Sequence, residues 1–133
     1  MRAENVIYTL LKTDAGLAAL VSTRIYPSRL PQNTVMPAIA YELISGMESP
    51  VIDAQAGQAL MASRVQVTAM AKNYKEVKDT LEAVRLACLY KSGLIANVRV
   101  LSVLRDSVGP DLRDDDLALY LQSIDFMVRY YET

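Results

Sequence analysis

The sequence predicts an α+β domain: a mostly antiparallel four-stranded sheet with two helices on one face, in the order α-β-β-α-β-β. Three observations predict it. In residues 62–71, Arg64, Gln66 and Thr68 alternate with Val65, Val67 and Ala69, the period of a strand with one wet face. From Asn73 the period changes, and Val77, Leu81, Val84 and Cys88 fall on one stripe of a helix. Three more runs read as strands and one more as a helix, so both helices have the same sheet face to cover.

Taken in order, residues 2–11 place Val6, Ile7, Leu10 and Leu11 at helical spacing. Asp14 suits the N-cap of a short second segment over residues 15–21, or the two form one bent helix. Residues 24–27 read as extended, because the residue before Pro27 is pushed out of the α region. Pro27, Pro31 and Pro37 make the following stretch a loop across an edge of the fold. Residues 38–48 form a strand, with Ile39, Tyr41 and Leu43 on one face and Ala40, Glu42 and Ile44 on the other. Both faces are partly apolar, as in a strand covered on its second side by another chain. Residues 49–58, rich in small residues with a proline and a glycine, are too long for a tight hairpin turn and read as a mobile link.

The central strand and helix follow, with Asn73 and Glu76 spaced as a capping box and Gly93 suited to the left-handed position past the helix end. A third strand is expected over residues 98–107 and a fourth over 117–131, where Ile124, Phe126, Val128 and Tyr130 share a face. Between them the Gly109–Pro110 turn signal and a run of aspartates mark residues 108–116 as a second exposed hairpin loop.

A chain of 133 residues with 52% hydrophobic and 22% charged side chains is expected to be one globular domain over residues 1–133. Its formal net charge of −1 supplies no field to draw it to nucleic acid or an anionic membrane. The apolar runs fall far short of the roughly 20 residues that span a bilayer, and the opening residues lack a secretory-signal pattern. Cys88 is the single cysteine, so no internal disulfide is expected, which suits a reducing compartment or sets no constraint at all.

The residues offer little chemistry. There is no histidine, the commonest general base and transition-metal ligand, and no glycine-rich phosphate cradle. Cys88, on the apolar stripe of its helix, reads as core and not as a nucleophile. Asp111, Asp114, Asp115 and Asp116 are oxygen ligands of the kind that hold Ca²⁺ or Mg²⁺, but their spacing is not that of an EF-hand, and a solvated, self-repelling loop is the simpler reading. Asp125 in the last strand has no second carboxylate placed to work with it, so a polar face toward solvent or a subunit partner is expected there. Eight tyrosines against one phenylalanine and no tryptophan favour protein interfaces over base stacking, which needs a basic groove. No catalytic residue, metal site or cofactor is expected.

Several stretches together resemble the phage tail-completion proteins. They are Arg24-Ile25-Tyr26-Pro27, Leu30-Pro31-Gln32 and Met36-Pro37-Ala38-Ile39-Ala40-Tyr41, then Arg64-Val65-Gln66-Val67 with Tyr74 opening the helix, and the closing Ser123-Ile124-Asp125-Phe126-Met127-Val128. The resemblance spans about residues 6–130. It implies a small, non-enzymatic structural protein of tailed phages and prophages, similar to the tail terminators, located in the virion at the head–tail junction and assembled in the bacterial cytoplasm. Such proteins cap the finished tube, commonly as a six-fold ring, and join it to the connector. The implied partners are further copies of the chain, the tail tube protein and a head-completion or connector protein. DNA passes through without specific binding.

A closed ring is built from heterologous contacts, so two different surfaces must be partly apolar. Tyr41, Ile44 and Met47 are expected to supply one, and Tyr120, Leu121 and Tyr130 the other, with Arg64, Gln66 and Thr68 on a face that meets a neighbour. The loops at 49–58 and 108–116 are expected to project, the acidic one into the channel, with Asp111 and Asp114 to Asp116 repelling DNA. The aspartate run is a departure from the family pattern. The competing class is a small α+β module binding a peptide, a metabolite or single-stranded nucleic acid on its open sheet face.

Overall fold

A computed structural model describes residues 2–49 and 59–132. The expected hairpin link at 49–58 lies, apart from Ser49, outside the described residues. Helix α1 (Arg2–Thr13) buries Ala3, Val6, Ile7 and Leu11, one stripe of a 3.6-residue period. It ends at Asp14, whose carboxylate accepts the Leu17 amide at 2.9 Å and starts α2 (Ala15–Val21). The third helix, α3 (Tyr74–Cys88), starts the same way: Asn73 Oδ1 accepts the Glu76 amide at 2.9 Å. Only this half of the capping box forms among the described residues, with no return bond from the Glu76 side chain.

The four-stranded antiparallel sheet with two helices is corrected. Among the described residues there are three helices and one mixed, curled half-barrel sheet of seven strands. The strands are β1 (Ile25–Pro27), β2 (Ala38–Ser49), β3 (Ala59–Ala71), β4 (Gly93–Ile95), β5 (Val98–Val108), β6 (Leu112–Asp114) and β7 (Leu119–Glu132). Their order is β1-β2-β3-β7-β5-β4, with β6 beside β7. The four expected strands are its long members. The three additions are short: β1 borders β2, β4 folds back on β5 across residues 96–97, and β6 folds back on β7 across the turn that follows it.

Strand β1 lies parallel to β2, Ile25 opposite Ile39, held by the Ile39 amide on the Arg24 carbonyl at 3.0 Å. Strand β4 pairs with β5 where a helix exit was expected. Tyr90, not Gly93, takes the left-handed position after α3, at φ 62°, while Gly93 at φ 105° opens β4. Strand β6 continues the line of β5 along the same side of β7. Residues 108–116 are therefore sheet border at Val108 and at 112–114, and the reversal is a tight turn at 115–118.

The helices cover one sheet face. There Val65 and Val67 of β3 and Phe126 and Val128 of β7 are fully buried with Val6, Ile7, Leu17 and Val84 of the helices. The alternate residues, Arg64, Gln66, Thr68, Asp125 and Met127 among them, stay half-buried on the face that no helix covers.

Candidate functional site

The open face and the borders of the sheet form the candidate site, and their geometry is that of a contact surface. At the middle of the open face, Arg64 of β3 points one guanidinium nitrogen at two carboxylates. It bonds Asp106 of β5 and, at 3.1 Å, Asp125 of β7. These hydrogen bonds raise the Arg64 pKa above its ordinary value, so the cation persists at any physiological pH. Asp125 is thus one anion of a three-residue ionic cluster that ties three strands together. Next to it, the Thr68 hydroxyl shares a 2.8 Å hydrogen bond with that of Ser123. Around this polar centre, Leu60, Ala62, Met127 and Tyr131 keep part of their surface exposed.

The remaining expected residues fall into separate places. Tyr41 packs on the helix-bearing side against Tyr8, ring centroids 5.6 Å apart, and burial there pushes its hydroxyl pKa up, with smaller contributions from Tyr8 and Glu4. Met47 stands on the opposite face, 71% exposed. The reason is a bulge in β2 between Leu43 and Ser45, which inserts Ile44 and exchanges the faces beyond it. Tyr130 does not reach any surface. At 5% exposure it belongs to the subunit core, its hydroxyl 3.3 Å from Ser63 Oγ, and this removes it from the expected interface.

Asp111, Asp114 and Asp115 each accept a local hydrogen bond, and Asp115 and Asp116 are exposed on the turn. Asp111 accepts hydrogen bonds from Lys78 Nζ at 2.5 Å and the Tyr74 hydroxyl at 3.0 Å, both on α3. Lys78 and Tyr74 hold the Asp111 carboxyl below the usual range, and Asp111 in turn raises the Lys78 pKa. Lys78 also bonds Gln122, whose amide donates to the Gly109 carbonyl at 2.8 Å, so α3 clamps the break between β5 and β6. Asp114 caps the turn through the Leu117 amide at 3.1 Å, and Asp115 accepts Arg113 Nε at 2.8 Å. Tyr120 joins this corner, edge-on to Tyr74 at 6.2 Å and under the Arg113 guanidinium at 4.7 Å.

Asp106 and Lys78 were not singled out in the sequence, and Tyr74 and Ser123 entered only as part of the resemblance, with no contact expected of them. Only the Tyr74–Lys78 spacing of four on one helix offered a local signal, and the other partners are set by strand register.

A cleft of about 610 Å³ opens between the 28–36 loop and Met70, Leu119 and Leu121 on the helix-free side, with Arg29, Lys72 and Asp114 at its walls. Among the described residues, no three His, Cys, Asp or Glu side chains gather as a metal site. No described helix is long and apolar enough to cross a membrane.

The same fold occurs in a solved structure described as the virion of native gene transfer agent (GTA) particle. One of its chains is 19% identical, with a TM-score of 0.71 over 95% of this chain and 92% of that one. No curated protein matches the chain. Residues 5–131 match the family described as tail completion protein gp17, and the resemblance noted in the sequence extends over the same span. The chain belongs to the tail completion protein gp17 family and is a structural protein of the phage tail, located in the virion.

Proposed function

We propose that the protein completes the tail as an oligomeric ring, hexameric as the resemblance implies, that caps the tube and joins it to the head connector. The observation that carries this reading is the one-sided cover of the sheet. Helices bury one face, while the other presents a neutralised polar centre at Arg64, Asp106 and Asp125 within partly exposed apolar side chains. A ring subunit needs such a surface, polar enough for the free protein and apolar enough to be covered on assembly. A virion chain of the same fold supports the setting.

Within this reading Arg64, Gln66 and Thr68 face a neighbouring protein, and Met47, Tyr41 and Tyr120 flank subunit contacts. The turn carrying Asp114, Asp115 and Asp116 faces the DNA path, where negative charge keeps DNA moving through without binding it. The test is deletion of the gene followed by electron microscopy of the particles. Tailless or over-long-tailed particles are expected, and normal particles reject the assignment. Replacing Asp114, Asp115 and Asp116 by Asn tests the channel separately: normal joining and normal DNA ejection would remove that role and leave the ring.

A further inference from the structure

Both borders of the sheet are open over part of their length. Strand β1 covers β2 only at Ile39–Tyr41, with the Ser28 amide on the Tyr41 carbonyl at 2.8 Å closing that stretch. Along residues 42–49 no described strand lies on that side. Leu43, Ile44 and Met47 there are 44%, 47% and 71% exposed. Exposed edges are normally guarded by lysine, proline or shortness, and this one has a bulge but no Lys, Arg or Pro anywhere in β2. At the other border, β4 covers residues 98–100 of β5, and the Tyr90 amide on the Val103 carbonyl, at 2.8 Å, closes the edge that far. Residues 104–108 then run on with no described strand outside them, Leu104 and Val108 partly exposed.

We propose that these two edges pair with each other between successive copies of the chain, residues 42–49 of β2 against residues 104–108 of β5, so that the sheet runs on from subunit to subunit. The inference rests on the ring reading and names its contact. Strand sense fits: β2, β3, β7 and β5 alternate in direction, so β2 and β5 run oppositely. A neighbour added in the same orientation therefore meets β2 antiparallel, the pairing with straight, perpendicular hydrogen bonds.

Charge fits as well. The β2 edge carries only acids, Glu42 and Glu48, so two β2 edges repel each other. The β5 edge brings Arg105, while its Asp106 is already neutralised by Arg64. Register places Glu48 (opposite Met61) and Arg105 (opposite Phe126) on the helix-bearing face. It places Met47 (opposite Ala62) and Leu104 (opposite Met127) on the open face. The junction thus sets acid near base on one face and apolar near apolar on the other. A second copy is the occupant because it alone brings the matching edge with every subunit, and head-to-tail pairing of this kind continues until a ring closes.

The test is thiol cross-linking with a short bismaleimide in a variant carrying both Met47→Cys and Leu104→Cys, beside each single variant. Cys88 is buried and stays silent. The double variant is expected to give a ladder of covalent oligomers running past the dimer, and each single variant none. Covalent dimers from Met47→Cys alone would mean that two β2 edges meet, and would overturn the proposal. Absence of a ladder while light scattering still shows the ring overturns edge pairing and keeps the ring. A double variant and wild type that are both monomeric, in solution and on isolated tails, overturn both.

Discussion

Replacing Thr80 by Val should stabilise the protein, against the usual sign of a core substitution. Thr80 lies on the buried side of α3 at 1% exposure, and its hydroxyl meets no hydrogen-bond partner among the described residues. A buried unpaired polar group costs on the order of 1–3 kcal/mol, and threonine and valine have nearly the same shape and helix propensity. The exchange leaves packing and backbone almost unchanged and removes the desolvation cost, a gain of about 1–2 kcal/mol. With an unfolding entropy of roughly 2.1 cal/mol/K per residue, a chain of 133 residues loses about 0.28 kcal/mol of stability per degree near its melting temperature. The gain then appears as a rise in Tm of about 4–7 °C. Calorimetry on wild type, Thr80→Val and Thr80→Ser measures it. Thr80→Ser keeps the hydroxyl and loses the methyl, so it should melt below wild type. A Val variant that melts at or below wild type would refute the reasoning, because it would show that the hydroxyl has a partner worth more than its desolvation.

Three further outcomes are expected. Phe126→Ala, at a fully buried position of β7, should cost about 3–5 kcal/mol in urea unfolding; a loss near zero would move the core elsewhere. Burial pushes the Cys88 thiol pKa well up, so Ellman's reagent should leave it unlabelled in the native protein at pH 8 and label it in urea. Fast native labelling would contradict its place in the core. Asp111 has a lower pKa folded than unfolded, so its contribution is present above the ordinary carboxylate range and is lost as pH falls through the depressed value. Lys78, shifted upward, keeps its contribution until pH rises through its own raised value. Asp111→Asn should therefore flatten the acid limb of Tm against pH; an unchanged limb would mean that the clamp on α3 carries no stability.

Neighbouring residues alone determined much of this protein. Helix α1, the Asp14 cap, and the switch at Asn73 from a period of two to one of 3.6 are local in origin, because caps and periodicity involve residues a few positions apart. The long strands β2, β3, β5 and β7 were legible for the same reason. Strands β1, β4 and β6 were not read as strands, although residues 24–27 read as extended: three residues carry no period, and only pairing with a long strand makes them part of the sheet.

The candidate site divides along the same line. Alternation showed that Arg64, Gln66 and Thr68 share a face, but not that Arg64 meets Asp106 and Asp125 there, since register with β5 and β7 decides it. The bulge at Ile44 turned Met47 to the face opposite Tyr41, and the aspartates were divided between a Lys78 contact at Asp111, the end of β6 at Asp114 and the turn at Asp115 and Asp116. Tyr130, like any aromatic at a strand position, had two faces open to it. Only the layer of helices decided that it is core, because burial is a property of what lies opposite a residue and not of the residues beside it.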